Sequence, residues 1–368
     1  MKILWFTWKD HLHPFAGGAE NVDKFIAQKL ASEGHELIMI TGGYENCKKE
    51  ETVNGYKIKR VGNLFTVYFE AFRYYKKHLS NWPDLIIEEI NTIPFMTQWY
   101  AKQKRVLLIY QLCRKIWFYQ LPLPFSLIGY LLEPIYLFFL RKNKALTESQ
   151  STKDDLQIYG FKEKNINVFP ICIDIKPLSS INNKQTFQDF TILSLGAIRN
   201  MKRTLDQIKA FEFAKKEIPE LKMKVAGLPI GSYGKKVLEY ITNSPFKKDI
   251  EYFGKVSREQ KIELMRKSHL ILVTSVKEGW GLIVTEAGSQ GTPAIVYNVD
   301  GLRDSVVDRE TGVILKSKNK PEELAKKIIE LHKDKKMYVK LSEKTLENSK
   351  KYTLSTMFEE FKKNILSL

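Results

Sequence analysis

Ser275-Val276-Lys277-Glu278-Gly279-Trp280-Gly281-Leu282-Ile283-Val284-Thr285-Glu286-Ala287 decides the fold of this chain. The run before it, His269 to Thr274, is apolar and short, as a strand buried on both faces of a parallel sheet must be. The run after it is a short helix that ends near Gly291-Thr292-Pro293. Strand, acidic loop and helix make a ligand-binding edge, because open α/β sheets take ligands beyond the carboxyl ends of their strands. The first amides of the following helix can hold phosphate there, and Gly279 and Gly281 let the backbone come close. Glu278 and Glu286 bracket the loop; carboxylates so placed can accept paired hydrogen bonds from sugar hydroxyls, or simply complement a helix dipole and meet solvent.

Working outward, 368 residues exceed one ordinary core and suit two domains. The linker expected between them is the polar run Pro177 to Asn183, which gives an amino-terminal domain over 1–176, a carboxy-terminal domain over 177–350 and a last helix over 351–368. The net charge of +17 permits a polyanionic partner. The lysines are dispersed, however, and no Cys/His finger or aromatic RNA-binding motif accompanies them, so nucleic acid is not expected. Lys316-Ser317-Lys318-Asn319-Lys320 reads as part of a solvated face. Cys47, Cys113 and Cys172 are few, odd in number and far apart, which argues against a disulfide framework or a zinc site and for a reducing, cytoplasmic compartment. Met1 to Thr7 reads as a first strand rather than an export signal.

In the first half, Gly17-Gly18-Ala19-Glu20 opens a helix to about Ser32, with Val22, Phe25, Ile26 and Leu30 at helical spacing. The turn lacks the Gly-x-Gly-x-x-Gly dinucleotide fingerprint, which removes the main support for a nicotinamide or flavin enzyme. His11 and His13 lie on the preceding loop at a spacing that could suit a metal, but no third ligand is near in sequence, and no metal is expected. Strands at Tyr56–Val61, Asp84–Ile90 and Arg105–Tyr110 alternate with helical segments, the pattern of a parallel α/β sheet. Residues 116–140 are the most apolar part of the chain, interrupted by Gln120, Pro122, Pro124, Glu133 and Pro134 and flanked by Arg114, Lys115, Arg141, Lys142 and Lys144. The breaks oppose a spanning helix; a pair of core helices and an interfacial surface over 113–144 meeting anionic lipid both fit.

The second domain opens at the strand Thr191–Leu195. It is followed by Arg199, Lys202 and Arg203 just before a helix beginning near Thr204, a place where cations can neutralise a diphosphate. Leu221–Ala226 and Ala294–Tyr297 extend the sheet, Ser257 and Gln260 form a capping box, and the last helices cover about Pro321–Leu331 and Lys340–Leu366.

Ser-x-x-Glu-Gly-Trp-Gly-Leu over 275–282, with Glu286 and Glu-Ala-x-x-x-Gly-Thr-Pro over 286–293, resembles the signature of the retaining glycosyltransferases of family four. The resemblance implies the GT-B fold: α/β, two facing Rossmann-like domains with an interdomain cleft, and a C-terminal helix crossing back to the first. It implies a retaining transferase using a nucleotide-diphosphate sugar as donor and no cofactor, and the cationic phosphate site together with the lack of any Asp-x-Asp predicts that it is metal-independent. By the same resemblance Glu286 binds the donor ribose, Glu278 lies at the transferred sugar, and the amides of Gly281, Leu282 and Ile283 hold the diphosphate. Trp280, Arg203, Val256 in the base-contacting loop, and the Gly17-Gly18 turn join the donor set. Relatives usually read Gly-Arg-Leu-x-x-x-Lys-Gly where this chain has Gly196 to Arg203; Lys202 matches the lysine, while Ala197 takes the arginine position, so Arg199 or Arg203 has to supply that charge. Relatives often carry a His where Tyr110-Gln111-Leu112 stands; Gln111 can bind a sugar hydroxyl but not act as a base, and it joins His11 and His13 on the acceptor side. The acceptor is a glycan or a lipid-linked molecule presented at a membrane. A sugar-nucleotide epimerase or phosphorylase of the same fold, or a non-catalytic basic module binding nucleic acid or lipid, are the alternatives.

Overall fold

A computed structural model describes residues 1–316 and 320–366; residues 317–319 of the lysine-rich run at Lys316–Lys320, and residues 367–368, lie outside the described residues. The chain forms two compact units, Met1–Cys172 with Leu354–Leu368, and Ile173–Thr353.

The first unit is built on eight strands: β1 (Lys2–Phe6), β2 (Glu36–Gly43), β3 (Glu50–Val53), β4 (Tyr56–Asn63), β5 (Leu85–Glu89), β6 (Lys104–Leu108), β7 (Lys144–Thr147) and β8 (Ile166–Val168). Their order is β3-β4-β2-β1-β5-β6-β7-β8, parallel throughout except the antiparallel edge pair β3–β4. Central strands are buried on both faces, which is why Ile3-Leu4-Trp5-Phe6 is apolar without alternation. Helices α1 (Gly18–Ser32), α2 (Val67–Tyr74), α3 (Trp117–Gln120), α4 (Phe125–Leu140) and α5 (Gln150–Ile158) connect them. Of the expected stripe of α1, Val22, Ile26 and Leu30 are at most 1% exposed, while Phe25, at the edge of the stripe, is half-buried.

The second unit has β9 (Thr191–Leu195), β10 (Lys222–Ala226), β11 (Ile250–Tyr252), β12 (Leu270–Val273), β13 (Ala294–Tyr297) and β14 (Gly312–Leu315). All six are parallel, in the order β11-β10-β9-β12-β13-β14. Taken from its first strand this is 3-2-1-4-5-6, the Rossmann order, so the direction of winding reverses between β9 and β12. Helices α6 (Thr204–Lys215), α7 (Gly231–Asn243), α8 (Arg258–Lys267), α9 (Leu282–Ser289), α10 (Leu302–Ser305), α11 (Pro321–Lys333) and α12 (Lys335–Ser349) cover it. The Ser257 hydroxyl accepts from the Gln260 amide while the Gln260 side chain accepts from the Ser257 amide, the reciprocal cap expected of α8.

The two Rossmann-like units make a GT-B fold. One expectation is corrected: Lys340–Leu366 is not a single helix. The chain leaves α12 before Tyr352, whose carbonyl accepts from the Ile173 amide at 3.2 Å and whose ring stands 5.4 Å from Trp280. The final helix, α13 (Leu354–Leu366), belongs to the first unit, where Phe361 lies between Trp5 at 6.1 Å and Phe169 at 5.4 Å and Lys362 pairs with Glu33 at 2.8 Å.

Candidate functional site

The reversal of winding in the second unit leaves a crevice position at the carboxyl ends of β9 and β12, and the two loops that leave those strands are tied to each other there. From β9, Lys202 reaches Glu278 on the loop after β12; its ammonium donates to Glu278 Oε1, which also accepts from the Ser275 hydroxyl at 2.5 Å. Backbone bonds fix the pair: Val276 N donates to Met201 O at 2.8 Å, and the Thr274 hydroxyl donates to the carbonyls of Lys202 at 2.9 Å and Arg203 at 3.1 Å. Burial pushes the Glu278 carboxyl up, but the Lys202 charge and hydrogen bond, the Ser275 hydroxyl and the Arg199 charge outweigh it and hold the group below the ordinary carboxylate range. Glu278 is therefore ionised, and Lys202 is its counter-charge.

Two glycines let this loop exist. Gly281, at φ +91°, stands before α9, and a Cβ there would lie 2.7 Å from Leu302 Cδ2. Gly301, at φ +78°, packs directly under the loop: a Cβ would lie 2.4 Å from the Glu278 carbonyl oxygen. Asp300 completes the support, its carbonyl accepting from Glu278 N at 3.1 Å and its carboxylate bridging to Lys277 at 2.9 Å and to Arg303. The first turn of α9 presents Leu282 and Ile283, whose amides have no carbonyl one turn earlier within the helix, which makes that end an acceptor of negative charge. Glu286, on the same helix, is bound by Lys261 of α8 at 2.7 Å, and the Trp280 indole donates to the Thr285 hydroxyl at 2.9 Å.

The structure thus brings Lys202, Glu278, Gly281, Leu282, Ile283 and Glu286 to one sheet edge. Arg199 is exposed just before Lys202, and Arg203, in a left-handed conformation at φ +52°, caps α6. Val256 is half-buried in the loop after β11, against the core of the second unit. Ser275 stands in the sequence motif with no role given to it, as does Gly301 in the turn over 299–304, and sequence reading missed Lys261. Lys261 stands 25 residues from Glu286, and no local pattern signals such a pairing.

The remaining candidates lie in the first unit. Gly17 and Gly18 are exposed at the start of α1, where the Glu20 carboxylate accepts from Gly17 N at 2.6 Å and pairs with Lys9 at 3.0 Å. His11 meets the Tyr56 hydroxyl at 3.2 Å, whereas His13 Nδ1 accepts from Phe15 N at 3.0 Å, so the two rings are engaged in different directions. Burial, with help from nearby cations, lowers the pKa of both. Among the described residues no three His, Cys, Asp or Glu side chains stand together as metal ligands. Gln111 follows β6 with its side-chain oxygen buried and accepting no hydrogen bond.

Residues 179–348 match the family described as glycosyl transferases group 1. The chain is 28% identical over 217 residues to the poly(glycerol-phosphate) alpha-glucosyltransferase of Bacillus subtilis (strain 168), a match covering 59% of this chain and 31% of that protein. The chain spans 34% of the length of an uncharacterized glycosyltransferase of Methanocaldococcus jannaschii at 32% identity, and 96% of one from Haemophilus influenzae at 23% identity. Among solved structures, a sucrose-phosphate synthase from Thermosynechococcus elongatus superposes with a TM-score of 0.81 at 16% identity, over 99% of this chain and 98% of that one. Anabaena HepE in complex with UDP-glucose gives 0.74 at 15% identity over the full length of both. At these identities the structural likeness establishes the shared fold.

Proposed function

We propose that this chain, a GT-B protein whose second unit matches the group 1 glycosyltransferases, is a retaining, metal-independent glycosyltransferase that moves a hexose-type sugar from a nucleotide-diphosphate donor to an acceptor. The observation that carries the reading is the Lys202–Glu278 pair at the winding reversal of the second sheet, set beside the open amide end of α9. A diphosphate leaving group needs positive charge where its own negative charge develops. Lys202 supplies it, with Arg199 or Arg203 as the second cation, and the amides of Gly281, Leu282 and Ile283 receive the phosphate oxygens. Glu286 takes the ribose hydroxyls, exchanging its contact with Lys261 for them, and Val256 and Trp280 border the nucleoside and sugar. The bond from the anomeric carbon to the diphosphate oxygen breaks, the acceptor hydroxyl oxygen bonds to that carbon from the same face, and the hydroxyl proton leaves with the diphosphate. Glu278, ionised and anchored, steadies the electron-poor sugar.

The first unit holds the acceptor, with Gln111, His11 and His13 as its acceptor-side residues, and Gly17 and Gly18 contribute to donor binding. The acceptor is a glycan or a lipid-linked molecule, and the protein works in the cytoplasm with peripheral attachment to an anionic membrane. Titration calorimetry against a panel of nucleotide sugars, then NMR of the product from the donor that binds, tests the reading. A product with the donor's anomeric configuration is expected. Inverted product would end the retaining assignment, donor isomerised without acceptor would make the protein an epimerase, and absence of any donor binding would end the proposal.

A further inference from the structure

The α3–α4 hairpin of the first unit reverses the usual order of a surface. Over the 16 residues of α4 the one charged side chain, Glu133, faces inward and is 1% exposed. Phe125, Ile128, Leu131, Leu132, Ile135 and Phe139 face outward, each 49–61% exposed and at helical spacing. A helix apolar on every side is a core helix or one that meets a non-aqueous phase, and solvated exposure of this stripe is unfavourable.

The inward side of the helix is firmly seated on the rest of the unit. Glu133 accepts from the amides of Cys113 at 2.7 Å and Arg114 at 2.6 Å and from the Trp117 indole at 3.2 Å. Gly129 lies against the Trp117 ring, where a Cβ would come within 2.4 Å. Pro134 cannot donate to the Tyr130 carbonyl one turn earlier, and the Arg114 guanidinium donates to that oxygen instead, at 3.3 Å, while lying over the Tyr130 ring. Arg114 is thus committed to the hairpin. Leu137 and Leu140 close the contact with the sheet.

Aromatic and basic side chains rim the apolar face. Trp99, 63% exposed, stands edge-on to Phe139, and Phe118 lies 5.4 Å from Tyr130. Lys115 is exposed at one end, and at the other Lys142 is exposed and Arg141 lies over the Phe138 ring at 3.6 Å. No described helix is long and apolar enough to cross a membrane, and α4, at about 24 Å, is shorter than the hydrocarbon core. Pairing α4 of two copies antiparallel would set basic end against basic end, with no outward carboxylate on α4 to offset them. An anionic lipid surface offers the complementary charge and an apolar phase together.

We propose that the α3–α4 hairpin lies in the plane of an anionic bilayer, with the outward stripe of α4 sunk to the headgroup–acyl boundary and Lys115, Arg141 and Lys142 at the phosphates. It deepens the transferase reading, resting on it for its purpose, which is to bring the first unit to a membrane-presented acceptor. The test is flotation of the full chain with vesicles of phosphatidylcholine alone or mixed with phosphatidylglycerol, at low and high salt. Binding to the anionic vesicles that weakens with salt is expected. Leu131→Asp with Ile135→Asp lowers that binding more than tenfold, and Lys115→Gln with Lys142→Gln lowers it by about 25-fold, roughly fivefold for each charge. Nucleotide-sugar binding by the aspartate pair variant remains at the level of the unaltered protein, which checks its folding. Failure of the unaltered chain to float with anionic vesicles, or flotation indifferent to the aspartates, overturns the proposal. A sedimenting dimer that the aspartates dissociate, without vesicle binding, assigns the face to a second copy and overturns it equally. Vesicle binding without donor binding leaves this surface standing and removes the transferase; donor binding without vesicle binding does the reverse.

Discussion

Both sheets reverse their winding once, and the carboxyl groups at the two reversals are treated in opposite ways. In the second unit Glu278 and Glu286 are each met by a lysine, Lys202 and Lys261. In the first unit the reversal falls between β1 and β5, and there Asp23 and Glu89 are 2% and 1% exposed with no cation bound to either. Asp23 accepts from the Tyr110 hydroxyl at 2.5 Å, while its second oxygen and both oxygens of Glu89 have no hydrogen-bond donor within normal geometry. Burial raises both pKa values, and the mutual proximity of the two carboxyls raises that of Asp23 further. The difference teaches what an ionisable group at a strand end is for. On the proposed function, a carboxylate met by a lysine, as Glu278 is, can meet a ligand with its charge in place; burial without a cation instead favours the protonated form, the direction in which Asp23 and Glu89 are both shifted.

The largest effect that would break this comparison comes from Lys202→Ala. On the proposed function it removes the leaving-group cation, at a cost of about 2–4 kcal/mol or roughly 10²–10³-fold in maximal rate. It also strands the ionised Glu278, whose lowered pKa contributes stability that is present above its unfolded value and lost as pH falls through the folded one. In the variant that acid-side loss disappears because the depression itself is gone. Steady-state kinetics at saturating donor, joined to acid titration of stability, measures both; near-normal turnover removes Lys202 from its role.

How much of this could be read from the sequence depends on how local each determinant is. Strand ends, the Gly17-Gly18 turn and the Ser257–Gln260 cap rest on neighbours in the chain and were legible. The loop around Glu278 was legible as a motif, but its counter-ion lies 76 residues away and its floor at Gly301 depends on a contact no periodicity reports. The stretch 116–140 left core and interface readings open because both need the same apolar residues; only the orientation of α4 around its axis separates them, and Glu133 turned inward sets it. The break between α12 and α13 was missed because Lys350 and Lys351 suit a helix, and what ends it is the Tyr352 packing against Trp280.

The next effect sharpens the first-unit half of the comparison. For Asp23 and Glu89 the folded pKa values lie above the unfolded ones, so the folded state binds more protons in the window between them and stability falls as pH rises through it. The groups facing the pair are Glu20 from α1, Thr7 just after β1, whose hydroxyl opposes the rise at Glu89, Lys9 from the loop after β1, and Tyr110 after β6, with Glu148 behind Tyr110. Lys9 is already paired with Glu20. Amide hydrogen exchange of β1 and β5 at mildly acid and mildly alkaline pH is expected to show a loss of about 1–3 kcal/mol in protection free energy, the cost of an uncompensated buried polar group. Glu89→Gln flattens that dependence. A slope unchanged by Glu89→Gln would mean the pair does not hold the proton.

A smaller effect is expected at Glu286, because on the proposed function it holds the donor ribose before and during reaction alike. Glu286→Ala loses a charge-assisted hydrogen bond to the ribose and weakens donor binding by about 1.5–3 kcal/mol, roughly 10- to 100-fold, with a lesser change in maximal rate. Calorimetric titration of the donor reads it directly. A variant that binds as tightly as the unaltered chain, while losing rate, would place Glu286 with Glu278 rather than with the nucleoside.

The smallest expected effect is none at all, and it tests the cationic half of the comparison most plainly. If Lys202 and a neighbouring arginine carry the diphosphate charge, a divalent ion has no share in the step, and the chain contains no Asp-x-Asp by which to hold one against the phosphates. The two imidazoles spaced as metal ligands could be, His11 and His13, are turned to Tyr56 and to the Phe15 amide, and Asp10 beside them is already bound twice by Arg60, at 2.8 and 3.0 Å. Recruiting those three side chains to a metal would break a buried ion pair, which costs about 3–5 kcal/mol when one partner is left behind. Turnover in excess EDTA is therefore expected to equal turnover without it. Loss of activity in EDTA, restored by manganese, would show that protein cations do not suffice at the diphosphate, and the contrast between lysine-paired and unpaired carboxyls would then have to include a metal bound together with the donor.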